Sequence, residues 1–245
     1  MEVKGKKYTV KEIHAKDARD IVKKYHYSGK VVSNSKLHLG VFYCDSLVGC
    51  LQYGPPMNGK KTISKLGIPD GSLELNRMVM ADSEPRNSES QAISLCNKYL
   101  KRFTDVPCVL SFSDGKEGNV GYIYQATNWK YIGYMLSNSF YELDGDMVHA
   151  VTVWHRYKEK HQDRDIKTTD EILCDNFKNI RKITCKQHIY LFDIKRGASK
   201  SWRPADYPKV DREIKVLSAK VIKKDGVIVN EKISYTNETL APAYK

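Results

Sequence analysis

The chain has 245 residues, of which 41 are Lys or Arg and 29 are Asp or Glu, for a formal net charge of +12 and a pI near 9.3. Its 41% apolar and 10% aromatic content is enough to bury a core and excludes a disordered chain. The opening MEVKGKKYTV lacks the apolar stretch of a secretory leader and no run approaches a membrane span, so a cytoplasmic protein without membrane attachment is expected.

In chain order, residues 6–10 read as a strand running into a helix. Ile13, Ala18, Ile21, Val22 and Tyr25 recur near helical spacing, Asp17 and Asp20 fall early, and Tyr27-Ser28-Gly29-Lys30 ends it with a glycine. Strands at 37–44 and 47–54, with only Asp45-Ser46 between them, predict a two-residue hairpin. Pro55-Pro56-Met57-Asn58-Gly59 opens a polar excursion without regular structure. Order returns at 72–81, a strand in which Leu73, Leu75, Met78 and Met80 alternate only roughly. A helix over 88–103 follows, with Ala92, Ile93, Leu95, Cys96, Tyr99 and Leu100 facing inward and Asn87 or Ser88 as N-cap. Residues 107–114 form a short strand, 118–129 hold a short helix, and Trp129–Leu136 begin another strand. An Asp-Gly turn at 144–145, a helical pattern at 170–181, a strand from Gln187 to Ile194 and an Asp-Gly hairpin signal at 225–226 complete the pattern. The last residues, TLAPAYK, read as loose. Hairpins joined to strand-helix-strand crossovers predict a mixed α/β fold, with a core at 1–155 and a basic C-terminal extension at 156–245. That extension carries 21 basic against 13 acidic residues, a balance suited to a polyanion.

Six cysteines, at 44, 50, 96, 108, 174 and 185, include no C-x-x-C pair and read as buried small side chains. Cys174, Cys185 and His188 with His149, His155 or His161 make a metal set of no standard spacing, and no metal is expected. Three places carry chemistry. The loop and helix start at Arg86, Asn87, Ser88 and Ser90 offer backbone N–H groups and a positive helix end to a cofactor pyrophosphate, or form an ordinary capped helix. Arg77, inside an apolar strand, needs an anionic partner, which is either Glu74 or a ligand. Ser111, Ser113 and Asp114 end the next strand at the edge where α/β domains hold ligands, and Tyr122, Tyr124, Gln125 and Asn128 follow. Adjacent strands at 72–80 and 107–113 bring these groups to one edge. His26, just after the first helix, either lines the site or sits at the surface, and the surface is the favoured reading.

The order LELNRMV (73–79), PRNSES (85–90) and SFSD-x3-GNVG-x-IYQATNW-x-YIG (111–133) resembles the Mom family of phage DNA-modification proteins. LHLGVFYCDSLVGCLQYGPPMN (37–58) fits its N-terminal hairpin and WRPADYPK (202–209) is similar to its basic end. The resemblance implies a GNAT acyltransferase-like fold, a mixed central sheet flanked by helices. It also implies conversion of adenine N6 in double-stranded DNA to a carbamoylmethyl (glycinamide)-type derivative that protects DNA from restriction. The family's functional positions fall on Arg77 and Ser90, for the donor, and on Asp114 and Tyr124, for proton transfer. The GNAT R/Q-x-x-G-x-G/A loop is replaced by RNSESQ (86–91), so the donor carrier is left as acetyl-CoA or an aminoacyl-tRNA. A flipped adenine would stack on Tyr122, Trp129, Tyr131 or Tyr53. Lys195, Arg196, Lys200, Trp202 and Arg203 would grip the duplex backbone. A GNAT acetyltransferase acting on a protein or small molecule, and a non-catalytic DNA-binding protein, are the rival readings.

Overall fold

The structure is a computed structural model that describes residues 1–26, 31–115, 118–157, 173, 176–177, 179–209, 213–224 and 227–239. It divides into two compact units, the first built from 1–113, 121–133 and 189–207 and the second from 114–120, 134–188 and 208–245.

The first unit opens with a hairpin of β1 (Glu2–Lys4) and β2 (Thr9–Glu12), closed by the Gly5 N–H on the Tyr8 carbonyl, where one strand at 6–10 was expected. Next come α1 (Ala15–Tyr25), β3 (Leu37–Tyr43), β4 (Ser46–Gly54), α2 (Gly59–Leu66), β5 (Leu73–Met80), α3 (Ser88–Phe103) and β6 (Cys108–Asp114). The short α4 (Tyr122–Gln125), the start of β7 (Lys130–Leu143) and the end of β9 (Asn179–Asp193) complete it. The strands run in the order β1-β2-β3-β4-β5-β6-β9, antiparallel as far as β5, with β5 and β6 parallel. The β3–β4 turn falls on Cys44 and Asp45, one residue earlier than expected, because those two residues take the positive φ of 45° and 64°.

Helices cover both faces of this sheet. Ala18, Ile21 and Val22 of α1 pack on Cys50 and Val79, while Ala92, Ile93, Leu95, Cys96, Tyr99 and Leu100 of α3 pack on Leu39, Leu51, Tyr53 and Leu75. Each large side chain buried in this way contributes about 1.5–3 kcal/mol. Alternation along β4, with Cys50 on one side and Leu51 on the other, sets the two layers apart. The α2 helix interrupts the expected irregular excursion. Asn58 and Gly67 bound it in left-handed conformations, and the Gly67 N–H closes on the Ile63 and Ser64 carbonyls. Its Ile63 and Leu66 pack with Ile68, Cys108, Leu110, Leu191, Ala198 and Trp202.

In the second unit β7 pairs with β8 (Asp146–His149) through the expected turn at Asp144-Gly145, and α5 (Ala150–Tyr157) follows. There β9 pairs with β7 and with β10 (Glu213–Lys224), which pairs in turn with β11 (Val227–Thr239). Tyr141, Leu143, Val153, Leu173 and Ile180 form this unit's core. Residues 179–181, assigned to a helical pattern at 170–181, are strand, since Ile180 and Arg181 pair with Ala219 and Ser218. Tyr27 to Lys30, Cys174, His161, the Asp225-Gly226 pair and 240–245 lie outside the described residues, as does the His155 side chain. No helix of the described residues is long and apolar enough to cross a membrane.

Candidate active site

The pairing of β5 with β6 runs only through Leu73↔Val109 and Glu74↔Leu110, although both strands continue beyond it. Just past that point the β4–β5 ladder slips, with Gln52 opposite Arg77 and Tyr53 opposite Leu75. Asn76 is the extra residue, a β-bulge that resets the alternation of β5. This is why Leu73 and Leu75 share the α3 face with Met78 and Met80, as the irregular apolar spacing in the sequence foreshadowed. The same slip puts Glu74 and Arg77 together on the α1 face.

Around the bulge the polar groups are tied in. Ser35 Oγ donates to Asn76 Oδ1 at 3.1 Å, the Met57 N–H donates to Glu74 Oε2 at 2.9 Å, and Arg77 Nη1 donates to the Asn76 carbonyl at 2.8 Å. Burial pushes the Glu74 carboxyl above its ordinary range, against the Met57 N–H, the Asn76 side chain and the charge of Arg77. His26, the C-cap of α1, is half-buried rather than at the surface. Burial, helped by the Arg77 charge, lowers its pKa to about 4, so the ring is neutral at pH 7. Across the strands from Arg77, Gln52 is fully buried and its Nε2 lies 3.1 Å from His38 Nδ1. Burial and then the Arg19 charge hold His38 neutral too, against a weaker opposite pull from Glu12, so its Nδ1 accepts that bond. Gln52 Oε1 has no hydrogen-bond partner among the described residues.

On the other side of the opening, Tyr124 Oη lies 2.8 Å from Ser111 Oγ, which donates to the Leu75 carbonyl at 3.4 Å. Tyr124 is buried against Trp129 and Tyr190, with ring centroids 5.1 Å away in each case. Ser111 and Tyr124 therefore meet on the α3 side of the fork where β5 leaves β6, while Arg77 lies two residues beyond Leu75 along β5, on the α1 face. Asp114 belongs to the second unit, where its Oδ1 accepts a hydrogen bond from Cys185 Sγ at 3.4 Å.

The helix start at Arg86–Ser90 borders a hollow of about 540 Å³. Asn87 caps α3 with φ 68° and no side-chain hydrogen bond, so the expected side-chain cap is replaced by a left-handed turn. Ser88 is buried with its Oγ 3.2 Å from Glu89 Oε2, and Ser90 Oγ donates to the Asn87 carbonyl at 3.0 Å. Asp82, Glu84 and Glu89 line the hollow together with Arg86. Three carboxylates beside one guanidinium are a poor setting for a diphosphate. Of the proposed stacking rings, Tyr53, Trp129 and Tyr131 are buried in the core, and Tyr122 is 55% exposed. Five cysteines are described, and Cys50, Cys96, Cys108 and Cys185 are buried as expected, whereas Cys44 is exposed. Among the described residues no three His, Cys, Asp or Glu side chains gather as a metal set.

A family model, the Mom protein family, matches residues 7–209. The chain belongs to the Mom protein family. The motifs around Arg77, Arg86–Ser90 and Ser111–Gly133 all lie within that match. The "Methylcarbamoylase mom" of Escherichia phage Mu is 43% identical to this Mom-family chain over 153 residues, which is 61% of this chain and 63% of the phage protein. Among solved structures, a GNAT family N-acetyltransferase (YhbS) from Escherichia coli in complex with CoA overlaps it at a TM-score of 0.43 and 10% identity, covering 82% of this chain and 89% of that one. A Bacillus subtilis acetyltransferase in complex with CoA overlaps at 0.42 and 10% identity, covering 76% and 97%.

Proposed function

We propose that this protein is a group-transfer enzyme that places a carbamoylmethyl (glycinamide)-type group on adenine N6 of double-stranded DNA, within the cytoplasm of a phage host. The observation that carries the reading is membership of the Mom family across 7–209, with 43% identity to a relative named a methylcarbamoylase. Two polar pairings beside the fork between β5 and β6 are consistent with it: Ser111 with the buried Tyr124 hydroxyl on the α3 face, and neutral His26 near the Arg77 charge on the α1 face.

In the proposed reaction N6 gives up a proton and bonds to the carbonyl carbon that the carrier activates, and the carrier departs with the electrons of its broken bond. For a glycyl group the N6–C(O)–CH2–NH2 so formed is an isomer of the N6–CH2–C(O)–NH2 product, reached by exchanging its two nitrogen ends. Arg77 and Ser90 hold the donor. Asp114 takes the N6 proton, and the Tyr124 hydroxyl gives a proton to the departing carrier. The neutral ring of His26, close enough to Arg77 to feel its charge, is a second acceptor for that proton. Of CoA and an aminoacyl-tRNA as carriers, a tRNA bearing glycine supplies every atom of the carbamoylmethyl group, whereas acetyl-CoA lacks its amide nitrogen and would need an oxidant. The carboxylates around Arg86 also favour a carrier whose diphosphate does not sit in that hollow. Adenine in a duplex is paired and stacked, so it must be flipped at a cost of a few kcal/mol. Of the four rings considered, exposed Tyr122 is the one open to a flipped base.

Plasmid from cells producing the protein tests this. Cleavage by restriction enzymes with adenine in their sites should be blocked, and cleavage at sites without adenine retained. Equal cleavage of both classes, with soluble folded protein present, overturns the reading.

A further inference from the structure

We infer that α2 and residues 195–203 form one basic ledge of the first unit that grips the phosphodiester backbone of duplex DNA. The inference rests on the proposed DNA substrate and adds three lysines that sequence reasoning left in an irregular excursion. Lys60, Lys61 and Lys65 are exposed on α2, which carries no carboxylate. Lys195, Arg196, Lys200 and Arg203 are exposed on the 195–203 segment, which carries none either.

The two segments are fastened together. The Trp202 indole N–H donates to the Leu66 carbonyl, and Ser201 Oγ donates to the Gly67 carbonyl at 3.4 Å. Beneath them Ile63, Leu66, Ala198 and Trp202 share one apolar cluster. From below, Asp193 holds the turn: its Oδ1 accepts from the Ser199 N–H at 3.0 Å and from Ser199 Oγ at 2.5 Å, and its Oδ2 accepts from Lys130 Nζ at 3.0 Å. The cations are thus presented on a fixed support. Among the described residues, Lys195 alone of these cations has an acidic partner, Asp105, in an exposed 2.9 Å pair that water screens heavily.

The chemistry of the ledge selects the duplex. Trp202, expected to grip the backbone together with the charges, is half-buried and spends its N–H on the protein. Single-stranded nucleic acid needs open aromatic platforms, and a membrane surface needs apolar side chains to insert. Neither segment exposes a large apolar side chain. Cations alone, on a rigid support, suit the regular phosphates of a double helix.

The test is salt-dependent binding of a short DNA duplex by the full chain and by the triple variant Lys60→Gln, Lys61→Gln, Lys65→Gln. Glutamine keeps the helix propensity of lysine. The control variant carries Lys16→Gln, Lys23→Gln and Lys98→Gln, the same charge change on exposed positions of α1 and α3. The α2 variant should lose up to about 2.7 from the slope of log affinity against log salt, near 0.9 per phosphate contact, with the control retaining the parent slope. Equal slopes in both variants, whether reduced or not, overturn the ledge while leaving the proposed modification chemistry standing. Tighter binding of single-stranded RNA or of anionic phosphatidylserine vesicles than of the duplex overturns the assignment of the partner. A parent chain that binds no duplex, and whose host DNA is unmodified, sinks both proposals together.

Discussion

Glu74 and Arg77 lie on one face of β5 although three positions separate them, because Asn76 bulges out of the ladder between them. The bulge is held by side chains rather than by packing alone. Asn76 Oδ1 accepts from Ser35, and the Asn76 side chain also bonds to Glu74. Asn76→Ala should therefore cost about 1–3 kcal/mol, the range for stranding partly buried polar partners, read as a lower urea midpoint at an unchanged slope. A variant as stable as the parent would mean that the bulge does not depend on this side chain.

Gly54, opposite Glu74, is the tightest neighbour of that bulge. A Cβ there would lie 2.5 Å from the Asn34 carbonyl oxygen and 2.6 Å from Asn76 Oδ1. Backbone cannot swing aside as a side-chain tip can. Gly54→Ala should destabilise the protein by about 1–3 kcal/mol through overpacking and reduce activity with it. Parent-like thermal unfolding would contradict the contact.

His26 makes stability depend on pH in a defined direction. Its folded pKa of about 4 lies below the ordinary 6.5, so between those values the unfolded chain binds the proton and the folded chain does not. The contribution is fully present above pH 6.5 and is lost as pH falls toward 4. The ring is partly open to solvent, so the loss is discounted to about 1–2 kcal/mol. Glu74 acts in the opposite sense: its raised pKa gives a contribution present at low pH and lost as pH rises through the folded value. Urea midpoints at pH 4.5 and 7.5 should differ less for His26→Asn than for the parent. A ring that titrates near 6.5 by NMR would contradict this account.

Tyr8 and Lys7 both bond to Glu84, the tyrosine hydroxyl at 2.5 Å and the ammonium at 3.0 Å, tying the loop before β2 to the loop before α3. The Tyr8 hydroxyl first, then Lys7, holds the Glu84 carboxyl below its usual range against the opposing effect of burial. Tyr8→Phe should cost about 1–2 kcal/mol at pH 7, because a largely buried carboxylate loses its best donor. The difference from the parent should shrink once pH falls low enough to protonate Glu84. A cost that stays the same at every pH would point to packing instead.

Much of this fold was legible in residue order, and the misses have physical causes. The α3 helix and the β3–β4 and β7–β8 hairpins followed from apolar spacing and turn residues, the first of those hairpins displaced by one residue. Helix α2 was hidden because Pro55, Pro56, Gly59 and Gly67 crowd a segment that is helical only between left-handed residues at Asn58 and Gly67. The roughness of the 73–80 alternation was visible, but a bulge is a property of two strands and needs Gln52 and Tyr53 beside it. Arg77, Ser111 and Tyr124 stood out as polar residues in apolar settings, and of these Ser111 and Tyr124 are hydrogen-bonded to each other. His26 was favoured as a surface residue because its half-burial comes from the fold around the end of α1 rather than from its neighbours in sequence. Asp114, chosen from the same strand end, packs with Cys185 in the second unit.

The Tyr124 hydroxyl separates catalysis from stability. Tyr124→Phe keeps the ring against Trp129 and Tyr190 and removes the hydroxyl with its bond to Ser111, a bond worth about 1 kcal/mol. Its folded fraction should stay near that of the parent while DNA modification falls at least tenfold. Parent-level modification by this variant would remove the tyrosine from the proposed chemistry.

The most direct measurement is mass spectrometry of the nucleosides from plasmid DNA made alongside the protein. The account predicts a heavier deoxyadenosine whose fragments place the added group on N6 through a CH2 bearing a carboxamide, with none from cells making Arg77→Ala. A group joined to N6 through its carbonyl carbon would contradict the assigned product. Deoxyadenosine of ordinary mass beside soluble, folded protein would contradict the proposed function.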